Sequence, residues 1–382
     1  MDGIELRCPA CDRRFDPGRR RCPDHDHPPV LDIHYDSVTL RDQFDPTART
    51  RSDCWRYRPL LPVTESDPVT LGEGRTPLVS APAAGGELGV ALSLKLDGSN
   101  PTGSAKDRGS AVVATVARET GHKTVACAST GNAAASIAAY AARGDLDCSI
   151  FVPKELPDAK ATQPMVYDAS VRTVDGSYGD AYDRCRAAVA DRDWVDRSAG
   201  ATPYAPAGTR TLGFELAEEA VPDWIAVPIG NGGTIAGVYR GWQLYTEMGY
   251  APEPPRFLGV QAAGAPAVYD AVEGKNGGET AETCADSIAV DQPHRLDDAA
   301  AAIEETGGRI VTVSDESIRE AIRLLGRTEG IFAEPASAAA VAGIEAARER
   351  GHVDAGESVA ALVTGTGLKD TATAADAIEF SD

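Results

Sequence analysis

Lysine is scarce in this chain: seven lysines stand among 37 basic residues, against 58 acidic ones. A formal charge of -21 repels phosphate backbones and anionic lipid. That excludes binding of nucleic acid or membrane by bulk charge and favours solubility in concentrated salt, so a halophilic, cytoplasmic protein is expected. Long apolar runs are lacking too. None approaches the roughly 20 residues that span a bilayer, and the opening "MDGIELRCPA" shows no basic stretch followed by an apolar one. Neither a membrane anchor nor an export signal is expected. Internal repeats, heptads and long low-complexity tracts are also missing, which excludes solenoids and coiled coils.

What is present is enough apolar material, 42% of 382 residues, for a large core and more than one domain. From about residue 68 the chain alternates short strands with amphipathic helices. "VALSLKLD", "TVACAS", "CSIFVP", "SVRTVD", "WIAVPIG", "RFLGVQ", "RIVTVSD" and "SVAALVTG" read as strands, several of them unbroken apolar runs suited to a parallel sheet covered on both faces. "AAASIAAYAARG" and "DESIREAIRLLGRT" read as helices. The fold class is α/β, built of open sheets. Residues 31–67, rich in proline and charge, are expected to form an extended arm.

Cys54, Cys127, Cys148, Cys185 and Cys284 are scattered singly, as packed reduced thiols are. The other three cysteines cluster. "CPACDRRFDPGRRRCPDHDHPP" sets Cys8 and Cys11 as one knuckle and Cys22 with His25 as another, the spacing that brings four ligands to a tetrahedral zinc. His27 competes with His25 for the fourth place. A short ribbon with so few apolar residues cannot fold on burial alone, so the metal's expected role is structural.

Ligands of open α/β sheets gather beyond the carboxyl ends of strands, at helix starts. Four small-residue loops fall there: "SNPTGSAKDRG", "STGN" (Ser129 to Asn132), "GNGGT" (Gly230 to Thr234) and "TGTGLKD" (Thr364 to Asp370). In "GNGGT", the glycines Gly230, Gly232 and Gly233 leave backbone N–H groups able to converge on a phosphate, and Asn231 and Thr234 add polar side chains. Lys106, able to form an imine, that phosphate cradle and Asn132 in a polar loop together suit an aldehyde cofactor bearing a phosphate and a ring hydroxyl.

In order along the chain stand "GEGRTPL" (72–78), "NPTGSAKDRG" (100–109), "STGNAAAS" (129–136), "GNGGT", "EPASAAAVAG" (334–343) and "TGTGLKD". With this series the sequence resembles the fold-type II pyridoxal-phosphate (PLP) enzymes and, among them, the threonine synthase family, over roughly residues 70 to 375. The resemblance implies a tryptophan synthase β-like fold of two α/β domains with the cofactor between them. The zinc ribbon spans residues 1–30, an arm and the start of the large domain 31–97, the small domain 98–208 and the rest of the large domain 209–382. A ribbon ahead of this body resembles archaeal members. Lys106 is then the catalytic lysine that bonds the cofactor. Asn132 meets the ring oxygen, Gly230–Thr234 hold the phosphate and Thr364 meets the pyridine nitrogen. Ser129, Thr130 and Arg210 are the expected substrate contacts, and a homodimer is the family expectation.

The implied reaction converts O-phosphohomoserine and water to threonine and phosphate. Three positions depart from the family pattern. Ala105 replaces an aromatic residue, Ala133 a hydroxyl residue, and Ala205 in "TPYAPAGTRT" stands where an arginine grips the substrate phosphate. The alternative activity is β-elimination or β-replacement, as in serine/threonine dehydratases or cysteine- and cysteate-synthase-like enzymes.

Overall fold

The computed structural model describes residues 2–375 apart from 17, 27–28, 49, 65–66, 156 and 276–280. His27 therefore lies outside the described residues. The chain divides into two compact units, the first made of Met1–Arg75, Lys106–Thr211 and Leu244–Tyr250, the second of Thr76–Ala105, Leu212–Gln243 and Ala251–Asp382.

The first unit opens with a small antiparallel sheet of β1 (Ile4–Arg7), β2 (Arg14–Phe15) and β3 (Asp32–Tyr35) in the order β2-β1-β3, with Ile4 opposite Tyr35. Residues 31–67 are not an extended arm. After β3 they form a helix, Ser37–Gln43, capped by the Asp36 carboxylate, and a 3-10 helix, Cys54–Leu60. The reason is aromatic burial: Trp55, Tyr57, Leu60 and Leu61 are enclosed, and Phe44, Tyr57, Tyr245 and Tyr250 pack ring against ring. Proline and charge concealed this from the sequence pattern.

Next in the chain, β4 (Leu78–Ser80) and β5 (Ala91–Leu96) belong to the second unit. The first unit resumes with β6 (Thr124–Ala128), β7 (Asp147–Pro153), β8 (Ser170–Val174) and β9 (Val195–Asp196), a parallel sheet ordered β8-β7-β6-β9. All five residues of β6 are buried, as its continuous apolar run requires. The second unit adds β10 (Trp224–Pro228), β11 (Arg256–Ala262), β12 (Arg309–Val313) and β13 (Ser358–Val363) in the order β12-β11-β10-β13-β5-β4. That sheet is parallel except for β4, which runs antiparallel to β5. Each strand read from the sequence is found. Both sheets are open and α/β, and among the described residues no helix is long and apolar enough to cross a membrane.

Candidate active site

In the first unit, Lys106 begins the helix Lys106–Glu119 and is half-buried. The next two residues are fully buried and tied down. The Arg108 Nη1 donates to Thr211 Oγ1 at 3.0 Å, and Asp107 lies close enough to Arg197 to favour its charge. Burial lowers the Arg197 pKa, opposed by Cys127, Asp107 and Asp196, and its Nε donates to Ser110 Oγ at 3.0 Å. These bonds fix the first turn of the helix that carries Lys106.

Asn132 likewise opens a helix, Asn132–Arg143, with Gly131 between it and the half-buried Ser129 and Thr130, and is 8% exposed. The Ser129 Oγ accepts from the Gly131 N–H at 3.3 Å, shaping the turn between β6 and that helix. The two helices share one core, through Ala111, Val112 and Val113 on one and Ala134, Ile137 and Ala138 on the other. Lys106 and Asn132 thus sit at corresponding starts of two helices locked by one apolar cluster.

The helix Tyr204–Glu219 carries Ala205 and Arg210 on its first two turns. It crosses the Lys106 helix at backbone contact. A Cβ on Gly208 would strike the Arg108 carbonyl oxygen, and one on Gly109 would come within 2.8 Å of the Ala205 carbonyl oxygen. Only glycine permits that approach. Arg210 stacks on Tyr35, its guanidinium carbon 4.1 Å from the ring centroid.

The second unit holds the glycine loop and Thr364. Gly232 adopts φ +81°, and a Cβ there would strike the Arg295 carbonyl oxygen. The Asn231 carbonyl accepts from the Arg295 N–H at 3.0 Å and its Oδ1 from the His294 N–H at 3.3 Å. The loop is therefore pinned from residues 294–295. The helix Gly233–Glu247 begins inside the motif, and a Cβ at Gly233 meets nothing within 4 Å, so space lies over the helix start where a phosphate would sit. Thr364 follows β13. Its carbonyl accepts from the Ala105 N–H at 2.8 Å, and its Oγ1 lies 3.0 Å from the Ser337 Oγ, which also accepts from the Gly365 N–H at 2.7 Å. Among the described residues the Ser104 Oγ is buried with no hydrogen-bond partner. A glycine cradle with open space, a supported hydroxyl and an orphaned one suit a phosphate-bearing ring cofactor.

Cys8, Cys11, Cys22 and His25 converge, with one ligand atom of each within 4.8 Å of the others. Cys11 and Cys22 sulfurs are 3.8 Å apart, and the Cys8 Sγ is 3.4 Å from the His25 Nε2. A tetrahedral zinc with Zn–S bonds of about 2.3 Å sets neighbouring ligand atoms about 3.5–3.8 Å apart, so the four residues fit that ion. Elsewhere burial pushes the Cys127 thiol up to about 12, in keeping with packed, unreactive cysteines.

Three features escaped the sequence reading. Ser337 lies within the quoted "EPASAAAVAG", yet its place beside Thr364 depends on chain segments far apart. Glu73, in "GEGRTPL", is a fully buried carboxylate that accepts from Trp55 Nε1 at 2.6 Å, Tyr140 Oη at 2.9 Å and Thr70 Oγ1 at 3.1 Å. The contacts of Tyr35 and Tyr204 gave no local signal.

A profile of the family described as pyridoxal-phosphate dependent enzyme matches residues 69–365. The threonine synthase of Synechocystis is 40% identical over 344 residues, 87% of this chain and 88% of that protein. The threonine synthase of Methanocaldococcus jannaschii is 37% identical over 353 residues, 89% of this chain and 87% of its own. Among solved structures, diaminopropionate ammonia lyase from Escherichia coli superposes with a TM-score of 0.68 at 18% identity, covering 81% of this chain and 88% of that one. At that identity the likeness concerns the fold.

Proposed function

The chain belongs to the threonine synthase family of pyridoxal-phosphate-dependent enzymes, and from that premise we propose that it converts O-phosphohomoserine and water to threonine and inorganic phosphate. The observation that carries the reading is Lys106 at the start of a helix whose first turn is fixed by buried bonds, in a chain about 40% identical to threonine synthases over most of its length. Lys106 is assigned the bond to the cofactor aldehyde, Asn132 the ring oxygen, Gly230, Asn231, Gly232, Gly233 and Thr234 the phosphate, and Thr364 the ring nitrogen. When bound, pyridoxal phosphate supplies an electron sink for bonds at the substrate's α carbon and beyond.

The rest is the work of side chains. Lys106 Nζ, as a free amine beside the bound substrate, would accept and return protons. Thr364 would offer the ring nitrogen a hydroxyl, which, unlike a carboxylate, does not favour a proton there, a setting suited to elimination and replacement. For Thr364 Oγ1 to donate to that nitrogen, Ser337 must donate to Thr364, and the 3.0 Å separation allows it. Ser129 and Thr130 are assigned to the substrate, and Arg210 to its phosphate by a charge-assisted contact. We further assign Cys8, Cys11, Cys22 and His25 to one zinc.

Ala205 supports a second reading, in which serine or threonine is the substrate of a β-elimination. A product assay of the PLP-loaded protein in high salt, against O-phosphohomoserine, serine, threonine and O-acetylserine, separates the two. Threonine and phosphate from O-phosphohomoserine are expected, with Lys106→Ala inactive. Turnover of serine with none of O-phosphohomoserine would reverse the order.

A further inference from the structure

The helix that carries Arg210 is held by the ribbon. Tyr204, at its first position, is fully buried, and its hydroxyl uses both of its bonding modes on the loop between the knuckles. It accepts from the Gly18 N–H at 2.7 Å and donates to the Arg19 carbonyl at 3.0 Å. Burial pushes that hydroxyl up to about 12, so it keeps its proton for the second bond. The same loop is seated elsewhere as well. Gly18, at φ +94°, packs on Thr120, just past the end of the Lys106 helix, and Arg20 donates to the Trp194 carbonyl. Further along, Arg210 lies 4.1 Å over the ring of Tyr35, which pairs with Ile4 in the ribbon's own sheet. Stacking engages the face of the guanidinium, whereas its N–H donors lie in its plane.

One contact from the ribbon loop and one from Tyr35, on the strand paired to the ribbon's β1, therefore bracket residues 204–210, while Gly109 and Gly208 fix the same stretch against the Lys106 helix. We propose that the ribbon is a positioning device for substrate recognition: folded around its metal, it holds Tyr35 and the Gly18–Arg19 loop where they set the first two turns of the Tyr204 helix and thereby the place of the Arg210 guanidinium. In its substrate aspect this rests on the assignment of Arg210 to the substrate phosphate. Tyr35 and Tyr204 are positioning residues, and metal occupancy sets the affinity for the phosphorylated substrate without entering the chemistry.

The test uses the full-length, PLP-loaded protein in high salt, with O-phosphohomoserine and serine as probes and with hydrogen–deuterium exchange of amides 204–211 as a second readout. Tyr35→Leu is expected to raise KM for O-phosphohomoserine about two- to tenfold, the range of a cation–π contact, with kcat and the KM for serine held. Tyr35→Phe keeps the ring and is expected to restore the wild-type KM. Tyr204→Phe and removal of metal by a chelator are expected to speed exchange at 204–211 and move KM in the same direction, with the visible absorbance of the cofactor retained. An equal rise of KM for both substrates would make Tyr35 merely structural, and unchanged exchange at 204–211 on metal removal would overturn the proposal. Should Tyr35→Leu fail to fold, Tyr204→Phe and the demetallated protein decide by the same two readouts. If Arg210→Ala weakens both substrates alike, or O-phosphohomoserine is not turned over at all, the assignment of Arg210 falls. Exchange at 204–211 then decides the ribbon's hold by itself.

Discussion

Lys95 shows what a rare residue type signals and what it does not. Scarcity of lysine directs attention to Lys106, but Lys95 is as rare and more deeply buried. Its Nζ donates to the Thr76 carbonyl at 2.7 Å and pairs with Glu215 at 3.0 Å and Glu219 at 2.8 Å. A lysine so matched is a packed ion pair. What distinguished Lys106 was its place after a strand and a small-residue turn, within an ordered series of motifs. Ser337 makes the opposite point. Its hydroxyl was in plain view in a quoted motif, and only the approach of the helix Pro335–Glu349 to the end of β13 gives it a role. Replacing it with alanine removes one neutral hydrogen bond to Thr364, so Ser337→Ala is expected to lower kcat about two- to tenfold and to alter the visible absorption of the bound cofactor. Kinetics and an absorption spectrum check this, and a spectrum and rate identical to wild type would place Ser337 outside the cofactor's surroundings.

Among elements, those legible from sequence are the ones whose pattern is set locally. β6, β10 and β13 read as strands because parallel strands covered on both faces are continuous apolar runs. The starts of the helices at Lys106 and Asn132 followed from the small-residue loops before them. β2 and β9, two residues each, exist only through their neighbours' hydrogen bonds, and the helix at Ser37–Gln43 is short and carries a single buried residue. No periodicity marks such elements. The ribbon is an intermediate case, since its cysteine spacing was readable while its seat on Tyr204 and Trp194 was not. The assigned zinc leads to a measurement: one zinc per chain by elemental analysis, with Cys22→Ser, at a fully buried ligand position, expected to lose the metal and keep the cofactor. Protein purified without chelator and found free of zinc would remove the ion from this account.

For the whole molecule, a formal charge of -21 on 382 residues implies a stability that depends on salt. Exposed carboxylates repel one another over distances that salt shortens, from about 30 Å at 0.01 M to about 3 Å at 1 M. The melting temperature is expected to rise steeply with sodium chloride, and with the screening cation as the active agent. A melting temperature indifferent to salt between low millimolar and molar concentrations would contradict the expectation of a protein suited to concentrated salt. Composition made this property legible before any element was placed, because it concerns total charge and not arrangement.

The crossing of the Lys106 and Tyr204 helices bears on how such an enzyme changes its substrate over evolutionary time. With Gly109 and Gly208 at backbone contact, neither helix has room to slide or tilt when a neighbouring side chain changes size. Divergence among descendants is thereby channelled into single replacements on the remaining faces of the helix, at positions such as 210. Each can be tried by mutation without dismantling the frame that keeps the reactive amine in place.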